Sequence, residues 1–213
     1  MTTKATTRRR PAPPRRGRPT SPRTARAVRQ RRSRRREFVL WTAVLVGVAA
    51  LLAAMMISSR STSDTETRTA PAFTLTDTGG NQVSLADYRG ETVVLYFNEG
   101  AGCMSCFNQV AEFENHASEF DAAGVTILPI VVNGAAETLR DMAAAGVRTP
   151  FLLDTDTSVS RAYDTLDKGM HAGLPGHSFV LVDAAGTQRW YGEYPSMFLS
   201  SADLLDEIDA RLA

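Results

Sequence analysis

Cys103 and Cys106 are the only cysteines in a chain of 213 residues, and they stand three apart as Cys103-Met104-Ser105-Cys106. Two thiols at this spacing on a helix lie about one turn apart, so they can close an intramolecular disulfide or pass electrons to another disulfide. Disulfide scaffolds use many widely spaced cysteines in chains too small for a core. This chain is long enough to bury one, so the pair points to reactivity rather than to stapling. A structural zinc needs a second pair or suitably spaced histidines, and His116, His171 and His177 are far apart in sequence. Gly100-Ala101-Gly102 lacks the third glycine and the Gly-Lys-Ser/Thr ending of a phosphate loop. Its expected role is close approach of backbone to sulfur. No cofactor and no metal is expected.

The setting of the pair matters more than its spacing. Thr92 to Asn98 (TVVLYFN) is a nearly continuous apolar run, as in a buried parallel strand. After it the period changes. Val110, Phe113, Ala117 and Phe120 share a helical face, and Gly124 suits the helix end. The cysteines therefore sit where a helix opens after a strand. Unpaired N–H groups there stabilise a thiolate, the reactive form. Cys103, nearest the helix start and solvent, is the expected nucleophile. Cys106, one turn in, is the expected resolving thiol.

Further elements must hold this junction. Phe73-Thr74-Leu75 and Gln82-Val83-Ser84 flank a turn-rich stretch and predict a hairpin. Val125 to Asn133 predicts a second buried strand, interrupted by Pro129. Ala135 to Ala145 predicts a helix, Phe151 to Leu153 a short strand, and Ser158 to Thr165 a helix. Ser178 to Asp183 and Gln188 to Tyr194 predict a second hairpin. Ser201 to Leu212 closes as an amphipathic helix with Leu204, Leu205, Ile208 and Leu212 inward. The order predicts an α/β domain, a mixed sheet with helices on both faces, over residues 70–213.

The charges are segregated. Residues 1–37 hold 15 of the 24 basic residues and one of the 23 acids, which leaves 9 basic and 22 acidic groups, a net of −13, on the rest. This Arg- and Pro-rich tail is expected to be disordered. Phe38 to Ile57 is 20 residues without a charge, enough for a helix to span roughly 30 Å of hydrocarbon. Arg34, Arg35 and Arg36 abut one end, so the tail is expected in the cytoplasm and the domain outside. The rival is a cleaved export signal, since Arg35-Arg36-Glu37-Phe38 resembles a twin-arginine motif. Residues 58–69 are expected to be a polar linker. The tail is read as a topology determinant, not a nucleic-acid site.

The globular part resembles the thioredoxin-like redoxins, in the alkyl hydroperoxide reductase/thiol-specific antioxidant branch. Phe73 to Phe97 is similar to the family's entry hairpin and first core strand, Thr149 to Tyr163 to its middle segment, and Ser178 to Trp190 to its late hairpin. The resemblance implies a thioredoxin-like fold, an antioxidant or redox role, and activity through Cys103 and Cys106. Peroxiredoxins place Pro seven residues and Thr or Ser three residues before their peroxide-reactive cysteine. Before Cys103 those positions hold Tyr96 and Gly100, and before Cys106 they hold Glu99 and Cys103. Related membrane-anchored reductants carry Pro before the second cysteine, where Ser105 stands.

The turn near His177 matches the one that holds a cis-proline in thioredoxins or an arginine in peroxiredoxins, with Pro175 two residues earlier. His177 is therefore a candidate to tune Cys103 or shuttle a proton, and Glu99 a candidate proton carrier for Cys106. Met197 and Phe198 are expected in the core. The expected function is an extracytoplasmic thiol–disulfide oxidoreductase, an enzyme acting on protein thiols or disulfides with an unidentified electron donor. The alternatives are a thiol-dependent peroxidase acting on small peroxides, and a Cu(I) chaperone.

Overall fold

The structure, a computed structural model, describes residues 38–53 and 62–213. Residues 38–53 form helix α1, with its side chains exposed. The basic tail and residues 54–57 of the apolar run lie outside the described residues. Among the described residues, no helix is long and apolar enough to cross a membrane. Helix α1 belongs to one compact unit and residues 62–213 to another.

The second unit is built on one mixed sheet. Its strands are β1 (Thr62–Asp64), β2 (Arg68–Thr69), β3 (Thr74–Asp77), β4 (Gln82–Ser84), β5 (Thr92–Phe97), β6 (Val125–Val131), β7 (Leu152–Leu153), β8 (Ser178–Val182) and β9 (Thr187–Glu193). They lie in the order β1-β9-β8-β5-β6-β7-β3-β4, with β2 also on β9. The pairs β5–β6 and β6–β7 are parallel, and the others are antiparallel.

Strand β5 explains why its sequence is apolar throughout. Successive side chains point to opposite faces. Val93, Leu95 and Phe97 enter one core with Phe73, Leu85, Val159 and Tyr163. Val94 and Tyr96 enter the other, with Phe107, Val110, Phe113 and Phe179. Helices α2 (Met104–Asn115), α3 (Ala117–Ala123), α4 (Ala135–Ala145) and α6 (Ser201–Leu212) each contribute to that second core, and α5 (Ser158–Ala162) to the first. This is the thioredoxin-like mixed sheet, helices on both faces, that the sequence predicts.

Several local expectations change. Pro129 does not interrupt β6. The carbonyl of Ile130 accepts from Asn98 N on the β5 side, and that of Val131 accepts from Asp154 N on the β7 side. Pro129 therefore points toward β7, which pairs only from Ile130 onward. No ladder bond is lost. The single helix expected to run to Gly124 is two, broken at His116 (φ −113°, ψ 19°). Helix α5 ends at Ala162, short of Thr165. Leu212 is exposed in the last turn of α6, while Leu204 and Ile208 are buried. The segment read as a linker contains β1 and β2, which pair with β9, and Arg68 Nε donates to Gln188 Oε1 at 3.1 Å.

Candidate active site

Strand β5 runs out at Phe97, and six residues carry the chain into α2. Three side chains hold this stretch. Asn98, fully buried, accepts from Gly100 N at 3.0 Å. Asn133, from the loop before α4, accepts from Ala101 N at 2.8 Å. Asp141, on α4, accepts from Gly102 N at 2.8 Å. That bond and the neighbouring Arg140 hold the Asp141 carboxyl below the usual carboxylate range. Gly100 has φ +74°, and a Cβ there would overlap Asn133 Oδ1. Only glycine lets the loop take this path.

Cys103 is the residue at the start of α2, and Cys106 lies one turn in. They form a disulfide with Cα atoms 5.4 Å apart. Cys106 is fully buried, whereas Cys103 is half-buried. The Cys106 N–H donates to the Cys103 carbonyl at 2.9 Å, which closes the first turn on the pair. An attacking thiol or disulfide reaches Cys103 first.

A cleft of about 480 Å³ opens beside Cys103, and Met104, Met170, Leu174 and Met197 give it apolar walls. Met197 thus faces the cleft and Phe198 is 51% exposed, in place of the core role expected for both. Glu99 also lines the cleft but is only 3% exposed. Its carboxylate accepts from Met170 N at 2.7 Å and meets His171 Nδ1 at 2.8 Å. The structure thus brings Glu99 to the cysteines as an anchored group, with no bond to Cys106 among the described residues.

His177 lies elsewhere. It is 1% exposed, with Nδ1 2.9 Å from Tyr96 Oη and Nε2 3.2 Å from Gln109 Oε1. The amide of Gln109 is fixed by both polar groups of Leu199: its Nε2 donates to the carbonyl and its Oε1 accepts from the N–H, each at 2.7 Å. Oε1 can only accept, so His177 Nε2 carries the proton and Nδ1 accepts from Tyr96. Burial pushes the imidazole down to about 3 and the Tyr96 phenol well up, so both are neutral. Tyr96 Oη is also 3.4 Å from the Cys106 carbonyl. His177 therefore reaches the cysteine pair through Tyr96, not through the cleft. Pro175 is buried and follows a trans peptide bond.

Sequence reasoning passed over His171, Asn133, Asp141 and Gln109. His171, Asn133 and Asp141 come from segments distant from the cysteines, and Gln109 shares α2 with Cys106 but is set beside His177 only by the fold.

The AhpC/TSA family profile matches residues 67–191, which include both cysteines and most of the sheet. The chain belongs to the AhpC/TSA family. A Mycobacterium tuberculosis protein provisionally named a peroxiredoxin (Rv2521) is 41% identical over 96 residues, 44% of this chain and 60% of that one. The thiol-disulfide oxidoreductase ResA of Bacillus subtilis is 35% identical over 96 residues, 45% of this chain and 53% of that one. The chain thus spans between half and two-thirds of the length of these curated relatives. Among solved structures, AhpC of Enterococcus faecalis aligns with a TM-score of 0.60 at 15% identity, over 69% of this chain and 92% of that one. Peroxidoxin BcpB of M. tuberculosis aligns with a TM-score of 0.56 at 18% identity, over 68% and 94%. At these identities the structures show the fold alone, a thioredoxin-like mixed sheet flanked by helices.

Proposed function

We propose that the chain is a thiol–disulfide oxidoreductase that cycles Cys103 and Cys106 between dithiol and disulfide. The observation that carries this is the disulfide itself, placed at a helix start with one sulfur reachable and the other buried. Reduced Cys103 attacks a disulfide to give a mixed disulfide, and Cys106 resolves it. The name of ResA supports this reading. The peroxiredoxin names of other relatives favour peroxide as a second substrate, although Tyr96 and Gly100 stand where a peroxidatic Cys103 would be preceded by Pro and Thr or Ser. We propose further that Phe38 to Ile57 anchors the domain outside the cytoplasmic membrane. The support is its uncharged run of 20 residues and the arginines on one flank.

The test is turnover of insulin or glutathione disulfide by the full chain. Turnover abolished by Cys103→Ser supports disulfide exchange. Peroxide consumption that survives Cys106→Ser, without disulfide turnover, replaces it with the peroxidase reading. Labelling of reduced Cys103 in intact cells by a membrane-impermeant maleimide tests the location.

A further inference from the structure

Of the three histidines, only His171 opens on the cysteine cleft. His177 is buried with both ring nitrogens bonded, and His116 bonds the Glu112 carbonyl on α2. The His171 side chain is 65% exposed and lines the cleft with Cys103. Its Nδ1 is held at 2.8 Å by Glu99, whose second oxygen is held by Met170 N at 2.7 Å. A carboxylate can only accept, so Nδ1 carries a hydrogen and Nε2 is the nitrogen left for chemistry. A nucleophile, a base in the same cleft and a buried acid that orients the base make the arrangement that activates thiols elsewhere.

We propose that His171 is the proton donor and acceptor for Cys103, and that Glu99 is its positioning residue. This rests on the dithiol exchange proposed above. In the reduced protein, the Cys103 proton resides on His171 Nε2. The Cys103 thiolate attacks one sulfur of a disulfide R–S–S–R′. The Cys103–S–R bond forms, the S–S bond breaks, and R′–S⁻ takes the proton from Nε2. Cys106 then attacks Cys103 Sγ, and its proton leaves with R–SH. Two electrons and two protons pass from the dithiol to the substrate. Glu99 is the acidic side chain that lines the cleft with His171; Asp141 accepts from the lining residue Gly102, with Arg140 3.1 Å from Asp141, and Asp167 and Lys168 precede His171 on its segment, where Lys168 pairs with Asp164 at 3.5 Å.

The measurement is the pH dependence of Cys103 alkylation by iodoacetamide in the reduced full chain, read by mass spectrometry. It needs no substrate. In His171→Gln the alkylation midpoint rises by about one pH unit, and the rate below the wild-type midpoint falls about tenfold. Glu99→Gln moves the midpoint the same way by less. His171 is exposed, so its variant is expected to fold, and an unchanged thermal midpoint confirms it. An unmoved alkylation midpoint in folded His171→Gln overturns the assignment even where disulfide turnover is intact. Absence of turnover in the wild type, with the midpoint still moved by His171→Gln, overturns the exchange function and leaves the proton role.

Discussion

The Tyr96 hydroxyl donates to His177 Nδ1 at 2.9 Å inside the core, with no water-exposed edge on either ring. The bond couples the strand that ends at the cysteine loop to the one that begins beside it. Burial of the pair makes His177 a neutral group that the unfolded chain would protonate in acid.

The fold should therefore weaken in acid. Burial holds folded His177 down at about 3, against about 6.5 in the unfolded chain. Between these values the unfolded state binds the extra proton, so stability rises with pH. It is lost as pH falls from about 6.5 toward 3, at about 1.4 kcal/mol per pH unit from this group. Urea melts from pH 7.5 to 4.5 should show a shallower loss in His177→Gln. That variant should already be about 1–3 kcal/mol less stable at pH 7.5, because Tyr96 and Gln109 lose a partner.

The two sulfurs should differ in reactivity. Cys106 is fully buried and Cys103 borders a cleft. In the reduced chain, limited iodoacetamide should modify Cys103 at least ~10 times faster than Cys106. Peptide mapping of a short pulse measures this directly, and equal labelling would contradict the assigned order of attack.

Two glycines of the loop should not be equivalent. Both have positive φ, +74° at Gly100 and +94° at Gly102. An added Cβ meets Asn133 at Gly100 and nothing at Gly102. Gly102→Ala should cost about 1 kcal/mol, from backbone strain alone. Gly100→Ala should cost more than about 2 kcal/mol and slow disulfide turnover, because the Asn133–Ala101 bond must break. Thermal melts of the two variants, compared side by side, decide it.

Asp154 should be a large single contributor. Its buried carboxylate accepts from Val159 N at 3.1 Å, Ser160 N at 2.7 Å and Ser160 Oγ at 2.6 Å, which ties β7 to α5. Asp154→Ala leaves these buried donors unpaired, and chemical denaturation should show a loss of about 2–4 kcal/mol.

The strand–helix junction was legible because two periods meet there, an apolar run at Thr92–Phe97 and a helical face at Val110 and Phe113. The hairpins and α6 were legible for the same reason. Strands β1 and β2 were not, since Thr62–Asp64 and Arg68–Thr69 are polar and exposed and exist only by pairing with β9. The break at His116 left no mark in a hydrophobic face that continues across it. At the site, the cysteines announced themselves by spacing, and Glu99 by adjacency. His171 did not, because it lies 68 positions after Cys103. Met197 and Phe198 were misplaced because apolar type alone does not distinguish a core from a cleft wall, as at Met197, or from an exposed loop, as at Phe198.

The two short polar strands on β9 also govern how the domain can be handled. Without residues 62–69, the seven residues of β9 would present a bare row of N–H and C=O groups with Trp190 and Tyr191 among them. Such an edge is sticky toward its own kind. A recombinant fragment begun at the apparent domain start, Ala70, would invite copies to join sheet to sheet. One begun ahead of Thr62 carries its own cover.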